Sequence, residues 1–496
     1  MSQVKKSEHR LNSGKLVIVS NRLPISLSKR DDGEWEVKPS SGGLVTALTP
    51  VLRNSKGLWL GWPGVFDESN LDELMKRGSE GSGYSLKSVM LTEEDINLYY
   101  LGFSNEVIWP LFHDLQSRCN FKPSYWQAYQ QVNNKFAEAV LFNSREDDYV
   151  WIQDYHLMLV AKALRGMGED RKLGFFYHTP FPPPDIFIKL PWRMQIMRAM
   201  LDYDLIGFQT MRDRNNFIHC AEFLIKGLQS DARRQISSVR LQNHETKLGV
   251  FPISIDFSEF SQSAANTAVR DRAFELSEAI PGCKIVLGVD RLDYSKGIPE
   301  KLRAFENALQ RYENLHSRIT LIQIVVPSRT DIPEYNNLKN EIEGLVSEIN
   351  GKYAEAGWIP VNYMFRSLER NELLAYYRAA QIALVTPLKD GMNLVAKEYC
   401  AANTDSNGVL ILSEFAGAAA QLHRNALMVN PYDTEGVANA IYRAYHTPEK
   451  ERQLRMHRLR SSIARRSIYW WVDSFLRTAE NIATSNVLIS NSEKLP

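Results

Sequence analysis

Residues 284–297 read KIVLGVDRLDYSKG. The first part, Lys284–Val289, is apolar on both faces and rich in β-branched residues. That pattern suits a strand of a parallel sheet covered by helices on both sides. The strand runs into Asp290 and Arg291, and a loop then carries Lys296 before Gly297. Two cations spaced like Arg291 and Lys296 can converge on one diphosphate and stabilise charge as a phosphate leaves. A loop in which they pair with Asp290 and Asp293 fits this stretch equally well. It is not a Walker loop, because GxxxxGK[ST] does not occur.

Seven further stretches have the same character: Leu16–Ser20, Tyr149–Gln153, Leu173–Tyr177, Leu205–Gln209, Thr320–Val326, Ile382–Thr386 and Val409–Leu412. Helix-length segments separate them, so the class is α/β and doubly wound. Ligands of such sheets bind just beyond the carboxyl ends of the strands. Here those ends supply Arg22, Asp154, His178, Arg291, Arg329, Lys389, Asp390 and Glu414. The recurrence points to a polar ligand across the sheet ends.

The strands fall into two groups. Between them Gln229–Lys247 is polar and Val250–Ile255 holds Pro252, which places a domain boundary near 252–256. Two α/β domains facing each other would form a cleft. We expect domains at 15–252 and 253–465, a C-terminal helix at about 466–486 packing back on the first, and flexible tails at 1–14 and 487–496. Lys76–Gly83 reads as a surface loop.

The chain has 496 residues, 59 Lys plus Arg against 58 Asp plus Glu, and 44% hydrophobic residues. It can bury sizeable cores, and its balanced charge gives no global field for nucleic acid or an anionic membrane. The four cysteines form no CxxC pair, which argues against a zinc site or a disulfide framework and for a reducing compartment. There is no apolar signal core and no run of eighteen apolar residues, so we expect a cytoplasmic protein. No metal is expected: Asp202-Tyr203-Asp204 enters a buried strand, and His156 and His178 lack zincin spacing.

Residues 389–398 read KDGMNLVAKE. Asp390-Gly391 marks a turn before a helix whose first amides could bind phosphate or sugar hydroxyls. Asp390 could hold a sugar diol and Glu398 a ribose diol, or Asp390 could simply cap the helix. Ser40–Leu44, SSGGL, lets a backbone approach phosphate closely.

Taken together, these stretches resemble the trehalose-6-phosphate synthases. The resemblance is carried by VSNRLP (19–24), SSGGL (40–44), GLWLGWPG (57–64), YYLGFSNEVIWPLFH (99–113), WIQDYHLMLV (151–160) and HTPFPPPDIF (178–187). It continues through DYDLIGFQT (202–210), GVDRLDYSKG (288–297), VPSRTD (326–331), TPLKDGMNLVAKEY (386–399) and LSEFAGAA (412–419).

That resemblance implies a GT-B fold of two Rossmann-like domains facing across a cleft. It implies transfer of glucose from UDP-glucose to glucose 6-phosphate with retention, giving α,α-trehalose 6-phosphate and UDP, without a cofactor. On the donor side it implies Arg291 and Lys296 for the diphosphate, with Leu368 on the uracil through its backbone. Asp390, Gly391, Met392 and Asn393 would hold the glucose. Leu394 and Val395 would meet phosphate through their amides, and Glu398 the ribose. Gly42 and Gly43 would close over the donor. His178 would touch the donor sugar. For the acceptor it implies Arg22, Trp62, Tyr100 and Arg329 at the phosphate end, Asp154 on hydroxyls, and Trp109 and Thr179 shaping the pocket. Arg291, Lys296, Asp154 and His178 form the expected catalytic set. Gln153 departs from the family, many members having His before the Asp154 position. Two rival readings are a same-scaffold enzyme with another phosphorylated acceptor, such as glycerol 3-phosphate, and a non-catalytic regulatory homologue. The partners left open are a second copy of the chain and a trehalose-6-phosphate phosphatase.

Overall fold

The computed structural model describes residues 14–30, 34–39, 43–66, 71–233, 236–328 and 333–492. The chain divides into two compact units, Met1–Pro252 with Tyr469–Pro496, and Ile253–Ile468.

The first unit contains β1 (Leu16–Arg22), β2 (Ile25–Lys29), β3 (Trp35–Pro39), β4 (Leu58–Trp62), β5 (Ser85–Ser88) and β6 (Tyr149–Gln153). It continues with β7 (Leu173–Phe176), β8 (Leu205–Phe208), β9 (Gln229–Asp231), β10 (Ile236–Leu241) and β11 (His244–Val250). Its main sheet has the order β5-β4-β1-β6-β7-β8-β11-β10-β9, with β2 and β3 forming a separate hairpin. The pairings from β5 through β11 are parallel, and β10 and β9 extend the sheet antiparallel. Leu16 to Val19 are almost wholly buried, as a strand covered on both faces requires.

One expectation, the Lys76–Gly83 surface loop, needs correcting here, and one stretch given no element is filled: Gln229–Lys247 supplies β9 and β10 and most of β11. β9 is exposed along its length and β10 and β11 are only partly covered, so they carry polar side chains instead of an apolar run. Lys76–Ser79 closes the helix Leu71–Ser79 and only the residues after it turn. That helix buries Leu71, Leu74 and Met75, an apolar stripe at helical spacing.

The helix Ile468–Ser492 runs past the expected tail boundary at 487. Its Phe475 ring stacks on Trp151 at 4.2 Å, and Trp471 lies 5.1 Å from the same indole. Both aromatic rings are fully buried, each burial contributing roughly 1.5–3 kcal/mol. The chain's last long helix is thereby fixed to the first unit's sheet.

The second unit contains β12 (Lys284–Arg291), β13 (Ile319–Val326), β14 (Val361–Phe365), β15 (Ile382–Val385), β16 (Val409–Ser413) and β17 (Leu427–Val429). All are parallel, in the order β14-β13-β12-β15-β16-β17. Numbered within the unit this is 3-2-1-4-5-6, the dinucleotide-fold order. The chain moves outward from β12 and returns on its other side at β15. Loops leaving β12 and β15 therefore part at a switch point, where such sheets bind ligands. The first sheet reverses in the same way around β1, between β4 and β6.

Candidate active site

At the second unit's switch point, the loop after β12 meets the loop after β15. Leu388 N donates to Ser295 O at 2.9 Å, joining the two backbones. Gly297 has φ +62°, and a Cβ there would lie 3.0 Å from Thr386 O. Only glycine accepts both that backbone and that approach. Lys296 Nζ then reaches Asp390 Oδ2 at 2.7 Å, with both side chains about nine-tenths buried. The alternative pairing left open by the sequence does not form. Asp290 is instead held by the fully buried Lys301 and by Gln323, and Asp293 accepts from Ser295 N. Arg291 ends β12 exposed, with no carboxylate on it among the described residues.

Asp390 also accepts from Met392 N at 3.2 Å and from Asn393 Nδ2 at 3.3 Å. It is not the helix cap. Asn393 is, in the left-handed conformation at φ 57°, accepting from Ala396 N. The first amides of the helix Leu394–Ala402 belong to Leu394 and Val395, which have no intrahelical acceptor. Glu398, one turn along, accepts from Tyr377 Oη at 2.9 Å, and burial raises its pKa. Leu368 packs on the unit's core just before the helix Arg370–Ala379.

In the first unit, the β1–β4 register slips after Val19 so that Arg22 stands opposite Trp62. The guanidinium lies 4.6 Å from the indole centroid, a cation–π contact. Gly64 has φ +89°, and a Cβ there would sit 2.7 Å from an Arg22 nitrogen. Tyr100 stacks on His156 at 5.8 Å, and Trp109 packs against His113 and Tyr155. Tyr100 belongs to a thirteen-residue π-helix, Ile96–Ile108, that ends at Trp109. Its wider turn is reinforced by Asn105 Nδ2, which donates to Tyr100 O at 2.6 Å. Such π segments cluster at functional sites.

Asp154 follows β6 with φ 68°, a strained backbone for a non-glycine residue. Its Oδ1 accepts from His178 N at 3.1 Å and Thr179 Oγ1 at 3.4 Å. Burial pushes its carboxyl up to about 6 against those hydrogen bonds. His178 is buried and its Nε2 lies 2.9 Å from Gln153 Oε1. Burial pushes the imidazole down to about 3, so the ring is neutral.

Residue by residue, the second unit gathers Arg291, Lys296, Asp390, Gly391, Met392, Asn393, Leu394 and Val395 around one switch point. The first unit gathers Arg22, Trp62, Asp154, His178 and Thr179 at the ends of β1, β4, β6 and β7. Gly43 opens the helix Gly43–Ser55, while Gly42 and Arg329 lie outside the described residues. The sequence reading gave no role to Asn105, His156 and Tyr377, nor to Gly417, whose N donates to Asp390 O at 2.8 Å. LSEFAGAA at 412–419 was the available signal for Gly417, since a Cβ there would meet Gly391 O at 1.7 Å.

Comparison with known proteins agrees with this architecture. The profile of glycosyltransferase family 20 matches residues 14–481. The chain is 42% identical over 476 residues to the trehalose-6-phosphate synthase of Mycobacterium leprae, covering 95% of each. Among solved structures, a UDP-forming α,α-trehalose-phosphate synthase from Burkholderia xenovorans in complex with glucose-6-phosphate superposes with TM-score 0.85. It shares 33% identity, covering 94% of this chain and 100% of that one. An E. coli trehalose-6-phosphate structure bound with UDP-2-fluoro glucose gives TM-score 0.84 at 35% identity, covering 94% and 98%. No helix among the described residues is long and apolar enough to cross a membrane. Two Rossmann-like units of the GT-B fold, with this profile and these relatives, make the chain a member of glycosyltransferase family 20.

Proposed function

We infer that this enzyme transfers glucose from UDP-glucose to glucose 6-phosphate with retention, giving α,α-trehalose 6-phosphate and UDP. The observation that carries this reading is the pairing of an open Arg291 with a buried Lys296–Asp390 contact at the second unit's switch point, in a family 20 chain.

The second unit takes the donor. Arg291 and Lys296 bind the diphosphate and stabilise the charge that develops as UDP leaves. Asp390 orients Lys296 and, with Gly391, Met392 and Asn393, holds the glucose. Leu394 and Val395 offer amides to phosphate, Glu398 takes the ribose, and Leu368 lies along the base. Gly42 and Gly43 are further donor-binding candidates. The first unit takes the acceptor. Arg22, Trp62 and Tyr100 receive the phosphate, with Arg329 of the second unit as a further candidate, Asp154 accepts from sugar hydroxyls, and Trp109 and Thr179 bound the pocket. His178 meets the transferred sugar.

Retention proceeds by front-face attack, in which the leaving phosphate oxygen takes the proton of the attacking hydroxyl. No covalent nucleophile is assigned. Trapping a glucosyl ester on any carboxylate would overturn this step. Four cysteines outside any disulfide suit a reducing, cytoplasmic setting. A second copy of the chain and a phosphatase consuming the product are the partners we propose to look for.

The test is a product mass spectrum from UDP-glucose with a panel of sugar phosphates. The expected outcome is a hexosyl-hexose phosphate from glucose 6-phosphate. Preferred turnover of glycerol 3-phosphate would refute the acceptor assignment, and UDP release independent of any acceptor would refute synthase activity.

A further inference from the structure

Gln153 sits at the end of β6 and is itself buried. Its carboxamide can face His178 in two ways. Its nitrogen lies 3.4 Å from the Trp151 carbonyl oxygen and can donate to it. The reverse placement would set the amide oxygen against that carbonyl, two acceptors facing each other. Oε1 therefore points at His178 Nε2, at 2.9 Å. An amide oxygen only accepts, so Nε2 must carry the proton.

The other ring nitrogen is then the acceptor. His178 Nδ1 is buried and has no partner among the described residues, on a side chain that is only 5% exposed. A buried acceptor without a donor is costly and marks a place where a donor belongs. The side chains packed on the ring, Phe176 at 4.8 Å and Trp471 at 6.1 Å, carry no charge. Asp154 takes the His178 backbone N–H and is the titratable group beside it.

We propose that Gln153 is a positioning residue that locks His178 in the neutral, Nε2-protonated tautomer, so that Nδ1 is offered as an acceptor to a hydroxyl of the sugar substrate. This rests on the assignment of His178 to the transferred sugar. Histidine here acts as a fixed acceptor and not as an acid or base, because burial keeps its pKa near 3.

The locked tautomer is read without turnover. In the intact protein labelled with ¹⁵N-histidine, His178 (identified by loss of its signals in His178→Asn) should show a protonated Nε2 and a bare Nδ1 from about pH 5.5 to 8.5. Adding UDP-glucose should shift Nδ1 in the direction of an accepted hydrogen bond. Gln153→Glu keeps an acceptor in place but adds a charge that favours imidazolium, turning Nδ1 into a donor. Its KM for UDP-glucose should rise about tenfold near pH 5 and recover toward neutral pH, with glucose 6-phosphate affected little. Asp154 titrates in both proteins, so the difference between the two profiles reports His178. A protonated Nδ1 or an imidazolium in the native enzyme would overturn the proposal. So would a Gln153→Glu profile parallel to the native one. A locked tautomer that ignores UDP-glucose would instead remove the sugar assignment and leave the tautomer standing.

Discussion

Lys296 Nζ and Asp390 Oδ2 are 2.7 Å apart although the residues are separated by 94 positions in the chain. The pair closes the switch point of the second sheet and leaves Lys296 half-committed, with ammonium protons to spare for a phosphate. Lys296→Ala strands a mostly buried carboxylate. It should lower unfolding free energy by roughly 2–4 kcal/mol and slow turnover by about a hundredfold or more. Adding Asp390→Asn should restore part of the stability and none of the rate. Urea denaturation and kcat on the native protein, Lys296→Ala, Asp390→Asn and the double variant form the double-mutant cycle.

Arg22 and Arg291 divide the two substrates. Arg22→Ala should raise KM for glucose 6-phosphate about a hundredfold and leave UDP affinity nearly intact, because it removes one charged bond. Arg291→Ala should weaken UDP binding and slow the chemical step. Isothermal titration with UDP, beside steady-state kinetics, separates them. Equal loss of UDP binding in both would contradict the assignment.

Asp154 should leave a signature in pH. Its carboxyl titrates near 6 in the folded chain, above the ordinary value of 3.8. The native state therefore binds the proton more tightly than the unfolded state, so its contribution is full below about pH 3.8 and is lost as pH rises to about 6. Asp154→Asn should lack that decline. The buried His178 works in the opposite sense, losing stability as pH falls below its unfolded value of 6.5. Only the difference between native protein and variant isolates Asp154. kcat/KM for the acceptor should rise around pH 6 as the carboxylate forms in the native enzyme.

Lys397 is buried and donates to Ile253 O at 2.6 Å, and burial pushes its amine down to about 7. The unfolded chain holds this proton up to about 10.5, so stability should climb between pH 7 and 10.5. Lys397→Met should flatten the climb, measured by urea midpoints across that range.

Gly417→Ala should cost both stability and activity, since the new methyl would strike the Gly391 carbonyl and break the Gly417–Asp390 hydrogen bond. Gly344→Ala is the control. It lies in the helix Pro333–Tyr353 with open space around it and should stabilise by roughly 0.5–1 kcal/mol. Thermal melts with kcat decide both.

The central strands were legible because strands buried on both faces must be apolar throughout. Tyr149–Gln153 is one of these, and β12 differs only in extending to Arg291. The strands β9, β10 and β11 were not legible, since strands that are only partly covered give polar runs without a continuous apolar signal. The π-helix over Ile96–Ile108 has no periodicity of its own in the sequence, and its register is visible only through Asn105 and Tyr100.

The residue types at the strand ends, and with them the family, follow from the sequence alone, because each strand carries its own ligand-facing residue at its carboxyl end. Which of those residues meet was decided by sheet order. β12 lies beside β15, so Lys296 finds Asp390 and not Asp290 or Asp293. β6 lies beside β7, so Gln153 finds His178. A side chain reaches only a few ångströms, and strand adjacency, a non-local outcome of packing, selects what lies within that reach.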